Sequence, residues 1–141
     1  MARILAIDYG RKRTGIAVSD PSQIIATGLD TLATGAVMEF LRTYMIKEKV
    51  DTIVIGEAKQ MDASDSESME FIRPFYEKVV KAFPGCNVHL YDERFTSKMA
   101  FRAMIDGGLK KKDRQNKATV DKVSAVLLLQ SFMEFQKNRT T

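Results

Sequence analysis

An aspartate at the end of a short apolar segment is the residue of this chain whose surroundings most clearly suggest chemistry. Asp8 follows the apolar residues 4–7 and precedes a glycine turn with Arg11, Lys12 and Arg13. Aspartate is rare in strands and is almost never fully buried unless it is paired. A carboxylate at a strand end beside cations fits a site that holds a metal ion against a phosphate. On this segment alone, a turn aspartate that caps a hairpin is an equal alternative.

Four more carboxylates have a comparable position. Glu57, Asp92 and Glu93 stand at or just beyond the ends of two further apolar segments, and Asp121 is expected in the first turn of the last helix. Ligands of open α/β sheets bind at the carboxyl ends of strands, so these acids are expected at one edge. Carboxylates that converge without cationic partners repel one another, which favours divalent cations between them. For Asp121 alone, an acidic helix start stabilised by the macrodipole explains the residue equally well.

The elements that must position these acids form a mixed α/β pattern. Short segments rich in Ile, Val and Leu alternate with longer segments whose apolar residues recur at helical spacing. The predicted strands are 3–8, 13–19, 24–33, 52–56 and 87–91. The predicted helices are 35–49, 67–83 (with a kink or a late start because of Pro74), 96–106 and 119–136. This order predicts an α/β fold with a mixed five-stranded sheet, a three-strand antiparallel meander plus two parallel strands, flanked by helices.

Length and composition are those of an ordinary globular protein. The 141 residues are 45% hydrophobic and 28% charged, so we expect one domain over residues 1–141. The net charge of +4 permits nucleic-acid binding without requiring it. The chain has a single cysteine, Cys86, which excludes an intrachain disulfide. It also has a single histidine, His89, and this scarcity of ligands argues against a zinc site. We expect both residues to be structural. With neither a signal-peptide pattern nor an apolar run of about 20 residues, a cytoplasmic location is expected.

Three ordered motifs resemble the YqgF family. They are residues 3–10 with 13–17, residues 92–94 with Thr96 and Ser97, and residues 121–125. The family comprises RNase H-like proteins described as Holliday-junction resolvases and as pre-16S ribosomal RNA nucleases. The resemblance implies the RNase H-like fold, a cytoplasmic location and divalent-metal hydrolysis of phosphodiester bonds. By position it implies catalytic, metal-binding roles for Asp8, Glu93 and Asp121, and substrate contacts by Arg94, Thr96 and Ser97.

The segment after the fourth predicted strand departs from the family pattern. The family commonly has Gly-Leu-Pro there, whereas this chain has Gly56, Glu57, Ala58 and Lys59. Related resolvases of the same fold carry an essential glutamate at the end of that strand, so Glu57 is a candidate metal ligand. A surface ion pair between Glu57 and Lys59 is the favoured alternative. Because side chains alternate along a strand, only one of Asp92 and Glu93 can face Asp8, and we expect it to be Glu93.

The expected chemistry is two-metal hydrolysis. Two ions about 3.5–4 Å apart activate water, stabilise the leaving oxygen and neutralise the phosphate without a histidine base. In this arrangement Asp8 bridges the ions, and Glu93 and Asp121 each hold one side. Mg²⁺ suits an all-oxygen site that retains several waters, and Mn²⁺ can replace it.

Nucleic acid is the expected partner, and two groups of cations are candidates for holding it. The first is the hairpin group Arg11, Lys12 and Arg13, which can grip backbone phosphates. The second is a basic segment that immediately precedes Asp121, although a solvated surface loop is its alternative; it contains Lys110, Lys111, Lys112, Arg114 and Lys117. No aromatic residues interleave with either group, so no stacking surface for bases is expected.

Three other functions remain open from the sequence. A Holliday-junction resolvase would act on branched DNA as a homodimer with two sites, whereas an RNA nuclease can be a monomer. A non-catalytic RNA-binding factor in transcription or ribosome assembly is disfavoured, because clustered acids do not help a protein to bind a polyanion. The hairpin also resembles the phosphate loop of actin-like ATPases, but those need two such domains. RNA is favoured over DNA as substrate on family grounds alone.

Overall fold

A computed structural model describes residues 2–57, 69–92 and 117–139 of the chain. The strands are β1 (Arg3–Tyr9), β2 (Arg13–Ser19), β3 (Ala26–Ala33), β4 (Val50–Glu57) and β5 (Asn87–Asp92). The helices are a short 3-10 turn (Thr34–Ala36), α1 (Val37–Lys47), α2 (Met69–Ala82) and α3 (Lys117–Arg139). The helix expected at 96–106 lies outside the described residues.

The five strands form one mixed sheet in the order β3-β2-β1-β4-β5. The pairs β1–β2 and β2–β3 are antiparallel, whereas β1–β4 and β4–β5 are parallel. The predicted meander followed by two parallel strands is therefore confirmed. Because β1, β4 and β5 run in the same direction, their carboxyl ends meet at one edge of the sheet.

Different helices cover the two faces of the sheet. Consecutive residues of each strand point to opposite faces, so the even-numbered and odd-numbered side chains of a strand pack in different cores. We call the two sides the α1/α2 face and the α3 face. The core of the α1/α2 face contains Leu5, Ile7, Ile16, Val37, Leu41, Val50, Ile53, Ile55, Ile72, Phe75 and Val79. The core of the α3 face contains Ile4, Ala6, Ala17, Val54, Ala125, Leu128, Leu129 and Phe132. The small residues of β1 and β2 on the second face let a single long helix lie close to the sheet.

The third strand begins later than its sequence predicts. Residues Ile24 and Ile25 were expected in the strand, but their amides donate to Asp20 Oδ1 at 2.7 Å each. This turn also holds Gln23 with a positive φ of 58°. Since these amides bind a carboxylate, the strand starts at Ala26. The hydrogen bond from the Ile25 amide lowers the pKa of Asp20 most, and the bond from the Ile24 amide lowers it further.

The helices differ from expectation at their ends. Helix α2 spans Met69–Ala82 and continues through Pro74, so the helix does not start late at that proline. A proline this near an N-terminus removes the amide that would bond to Glu70, and the helix continues beyond it. Helix α3 begins at Lys117, two residues earlier than predicted, which makes Asp121 its fifth residue and not part of its first turn. Among the described helices, none combines the length and the apolar character that crossing a bilayer requires.

Candidate active site

Asp8 lies on the α3 face, at the carboxyl end of the central strand. Ile4 and Ala6 enter the α3-face core, and Asp8 continues this alternation as a partly buried side chain. Asp8 pairs with Gly15 on β2. On β4, Ile55 pairs with Ile7, and the next residue, Gly56, lies beside Asp8. These two glycines contribute no side chain of their own beside Asp8. Asp8 is therefore a half-buried carboxylate on one face, at the edge where ligands of such sheets bind.

The turn after Asp8 is fixed by hydrogen bonds to the 3-10 turn. Thr34 Oγ1 donates to the Gly10 carbonyl at 2.6 Å and lies 2.9 Å from Thr14 Oγ1, and the Thr34 amide donates to the Lys12 carbonyl at 3.0 Å. A Cβ atom on Gly10 would clash with the backbone carbonyl oxygen of Arg13. Glycine is therefore required here.

The hairpin cations lie in and directly after the turn that follows β1. Arg11 and Lys12 are exposed in the turn, and Arg13 is partly buried as the first residue of β2. All three are close in sequence to Asp8 and lie at the same edge of the sheet. The structure thus places this group of predicted binding residues at the same edge of the sheet as the carboxylate.

The remaining predicted site residues are described only in part. Glu57 is the last residue of β4 and Asp121 is the fifth of α3, but their side chains are outside the description, as is the side chain of Lys117 at the start of α3. The others lie outside the described residues altogether: Glu93, Arg94, Thr96, Ser97, Lys110, Lys111, Lys112 and Arg114. Within the described part, no three His, Cys, Asp or Glu side chains come together as a metal-binding group.

The donor at this edge nevertheless fits a hard divalent cation. Asp8 offers carboxylate oxygens, which are the ligands that Mg²⁺ and Mn²⁺ prefer. Gly15 and Gly56, which flank this register on the neighbouring strands, contribute no side chain of their own. The exposed His89 ring lies 5.4 Å from that of Phe132, a residue of the α3-face core. The Sγ of Cys86 donates to the Val50 carbonyl at 3.2 Å. The structural roles expected for His89 and Cys86 stay predictions.

Aromatic rings lie beside the hairpin cation Arg11, although none interleaves with the cations in the sequence. Tyr9 follows Asp8 on the opposite face of β1, where its ring stacks on Phe75 with centroids 3.9 Å apart. The Phe71 ring lies 5.8 Å from that of Tyr9, and the Arg11 guanidinium carbon lies 5.4 Å from the centroid of Phe71. Burial raises the pKa of the Tyr9 phenol, so this side chain stays neutral. We call Tyr9, Phe71 and Phe75 the aromatic cluster.

A signal for this cluster was present in the sequence but divided between distant segments. Phe71 and Phe75 are four residues apart and therefore share a face of α2, while Tyr9 has the parity of Ile7. The missing information was the packing of α2 against the end of β1, which only the tertiary structure supplies. The exposed face of the cluster lines a cavity of about 360 Å³ together with Arg11, Thr34 and Glu70.

Comparisons with known proteins agree on the family. A family model described as RuvX, Holliday junction resolvase, matches residues 2–135. A protein of Phocaeicola vulgatus is 54% identical over 137 residues, which are 97% of this chain and 99% of that protein. One of Flavobacterium psychrophilum is 56% identical over 133 residues, which are 94% of this chain and 97% of that protein. Both are named "Putative pre-16S rRNA nuclease".

Solved structures with low sequence identity share the fold. RuvC of T. thermophilus, in complex with a Holliday junction substrate, has a TM-score of 0.57 at 18% identity and covers 94% of this chain and 96% of its own. The Fowlpox virus resolvase, in complex with Holliday junction DNA, has a TM-score of 0.59 at 14% identity and covers 95% and 98%. The fold is thus the RNase H-like fold of these resolvases. Since the family model and the relatives extend over nearly all of its length, this chain belongs to the RuvX family, the group to which its YqgF-type motifs pointed.

Proposed function

We propose that this protein is a divalent-metal-dependent nuclease that hydrolyses phosphodiester bonds near the 5′ end of precursor 16S rRNA. The observation that carries the proposal is the position of Asp8, a carboxylate between two glycines at the carboxyl edge of the sheet. Its occurrence in a RuvX-family chain, with a hairpin of cations beside it, supports phosphodiester chemistry. The proposal includes a cytoplasmic location, where ribosomal RNA precursors are processed.

The chain's own groups have separate tasks in this mechanism. Asp8, Glu93 and Asp121 would hold the divalent cations, with Asp8 shared between them and Mg²⁺ the ion that all-oxygen ligands favour. When bound, the cations make a water nucleophilic and stabilise the leaving oxygen. Arg11 and Lys12, exposed on the fixed turn, bind the backbone phosphates on either side of the cleaved bond.

Strand parity supports Glu93 over Glu57 as a ligand. On β5, His89 contacts Phe132 and the Tyr91 hydroxyl lies 2.8 Å from Ser131 Oγ, so odd-numbered positions belong to the α3 face. Glu93 continues that odd-numbered series in the sequence. On β4 the odd-numbered Ile53 and Ile55 enter the other core, and Glu57 continues their series.

Helical spacing supports Asp121 in the same way. Ala125 and Leu128, four and seven residues further along α3, are both buried in the α3-face core. Positions separated by four and seven residues share one side of a helix. By this spacing we expect Asp121 on the side of α3 that covers the sheet, the face to which Asp8 belongs. An acid at a packed helix side needs a partner such as a cation, whereas a solvated acid does not.

Precursor rRNA is proposed as the substrate because relatives about half identical to this chain are named for it. The solved complexes of RuvC and of the Fowlpox virus resolvase contain Holliday junctions, so branched DNA is the second candidate. The two candidates imply different assemblies. A junction resolvase cuts two strands symmetrically and needs a homodimer, whereas a monomer is sufficient for a single cut in RNA.

The test compares cleavage of a precursor 16S rRNA fragment with that of a four-way DNA junction in Mg²⁺, Mn²⁺ and EDTA. We expect metal-dependent cleavage of the RNA, and loss of nearly all cleavage by Asp8→Asn with unchanged circular dichroism. Asp51→Asn is the matched control, because Asp51 is an exposed aspartate near the amino end of β4 and the charge change is the same. Full activity in EDTA or in the Asp8→Asn protein would refute the metal mechanism. Cleavage of the junction alone would refute the RNA substrate.

A further inference from the structure

The cavity beside the aromatic cluster has the composition of a stacking site. Its lining includes two aromatic rings, Tyr9 and Phe71, and the guanidinium of Arg11. These are the flat groups on which unpaired nucleobases stack in nucleic-acid-binding proteins. Glu70 and Thr34 complete the rim with polar groups. At about 360 Å³ the cavity is near the lower end of the range for small-molecule sites, which is suited to one ring system.

Its position connects it to the proposed cleavage site. Asp8 and Tyr9 are consecutive, with Cα atoms about 3.8 Å apart, and their side chains leave opposite faces of the same strand end. A strand that crosses this edge can therefore place a phosphate at Asp8 on the α3 face and a neighbouring base against Phe71 on the α1/α2 face. Arg11 belongs to the turn between the two positions.

We propose that this cavity binds an unpaired nucleobase next to the cleaved phosphate, by stacking against Phe71. The inference rests on the proposed nuclease function and adds a structural requirement to the substrate. The two faces of a base inside a duplex are covered by its neighbours, so a paired base cannot enter. The nuclease therefore selects a substrate with at least one unpaired nucleotide at the cleavage site.

The site is held in place before the substrate arrives. Phe75, only 5% exposed, is buried in the α1/α2-face core and supports the Tyr9 ring from below. The hydrogen bonds from Thr34 to the carbonyls of Gly10 and Lys12 fix the turn that carries Arg11. A preformed site loses little conformational entropy on binding, so the stacking energy is retained as affinity.

Glu70 gives the site a chemical preference among bases. It is an exposed carboxylate in the first turn of α2 and lies on the cavity rim. A carboxylate accepts hydrogen bonds from exocyclic amino groups, as it does from cytosine N4. Adenine, cytosine and guanine carry such groups, whereas uracil does not. An amino-bearing base is therefore the preferred occupant.

The experiment separates base stacking from phosphate binding with two ligands of equal length. One is an oligoriboadenylate and the other is the same ribose-phosphate chain without bases, each titrated into the Asp8→Asn protein in Mg²⁺ to prevent cleavage. We expect the adenylate to bind more tightly, and Phe71→Leu to lower that preference by about fivefold or more while leaving abasic binding unchanged. Phe71→Tyr retains a ring and should retain the preference.

Phe40→Leu is the matched control, because it removes a partly buried ring that stacks on Tyr44 in α1 and does not line the cavity. A second measurement requires no variant at Phe71: an oligoriboadenylate that contains 2-aminopurine should lose fluorescence on binding, because stacking quenches it. Absence of quenching, or an equal loss of affinity for both ligands in Phe71→Leu, would overturn the inference. If the protein cleaves RNA but shows no base preference, only this inference fails; if it neither binds nor cleaves RNA, the proposed function fails as well.

Discussion

The hydroxyl of Thr34 should contribute measurably to stability, because it connects the hairpin turn to the rest of the fold. It donates to the Gly10 carbonyl at 2.6 Å and lies 2.9 Å from the hydroxyl of Thr14, which is fully buried. Thr34→Val preserves the branched shape and removes only these interactions. The variant leaves a buried hydroxyl and a turn carbonyl without their partner.

The expected loss of stability is about 2 kcal/mol. A buried polar group that loses its partner costs about 1–3 kcal/mol, and the Thr14 hydroxyl meets this condition fully. The Gly10 carbonyl costs less, because the turn is partly exposed and water can replace Thr34. For a chain of this length, about 2 kcal/mol lowers the melting temperature by roughly 6 °C.

Urea unfolding of Thr34→Val, Thr14→Val and the double variant measures these terms. The double variant should lose less stability than the sum of the single losses, because removing both hydroxyls leaves no unsatisfied hydroxyl at Thr14. Thr27→Val, at an exposed threonine of β3, is the control and should change stability by less than about 0.5 kcal/mol. In cleavage assays Thr34→Val should raise KM more than it lowers kcat, since the turn carries Arg11 whereas Asp8 is held by strand pairing.

Strict additivity of the two single variants would refute this argument, because it would show that the hydroxyls act independently. A Thr34→Val protein as stable as the wild type would also refute it. In that case the turn would depend on the backbone hydrogen bond from the Thr34 amide to the Lys12 carbonyl alone.

Two further predictions concern residues whose side chains the structure does not describe. Replacing the three lysines at 110–112 with glutamine should weaken binding to unrelated nucleic-acid sequences equally. If all three lysines contact phosphates of a single strand, the slope of log K against log salt should become smaller by about 2. An unchanged slope would identify a solvated loop. In single-turnover cleavage at saturating Mg²⁺, Glu93→Gln should be nearly inactive and Glu57→Gln should retain most activity. The reverse result would assign the metal site to Glu57.

The architecture could be predicted from the sequence because its signals are local. Alternating apolar residues gave the five strands, and the short connection after Tyr9 required β1 and β2 to be antiparallel. Helix-length connections before β4 and β5 gave the parallel pairs. The family motifs then identified Asp8 before its position was known. Each of these inferences needs only residues that are close in sequence.

Features that depend on contacts between distant segments could not be predicted in this way. The start of β3 moved because Asp20 binds the amides of Ile24 and Ile25, which no strand propensity encodes. Phe135 lies three residues after the buried Phe132 in α3, yet it is 46% exposed, which helical spacing alone does not indicate. The aromatic cluster joins Tyr9 to α2, whose first residue is 60 positions away in the sequence.

The alternation of β1 explains why one strand end can serve two chemical tasks. Consecutive residues on a strand enter different environments, so Asp8 can lie half-buried beside glycines while Tyr9 packs on a buried phenylalanine. A ligand that contacts both must cross the edge of the sheet and cannot lie on one face. A flexible single strand can make that crossing, since its backbone can turn between a phosphate and the next base. A continuous duplex is stiff and would have to be opened first, so the two neighbouring residues together favour an unpaired substrate.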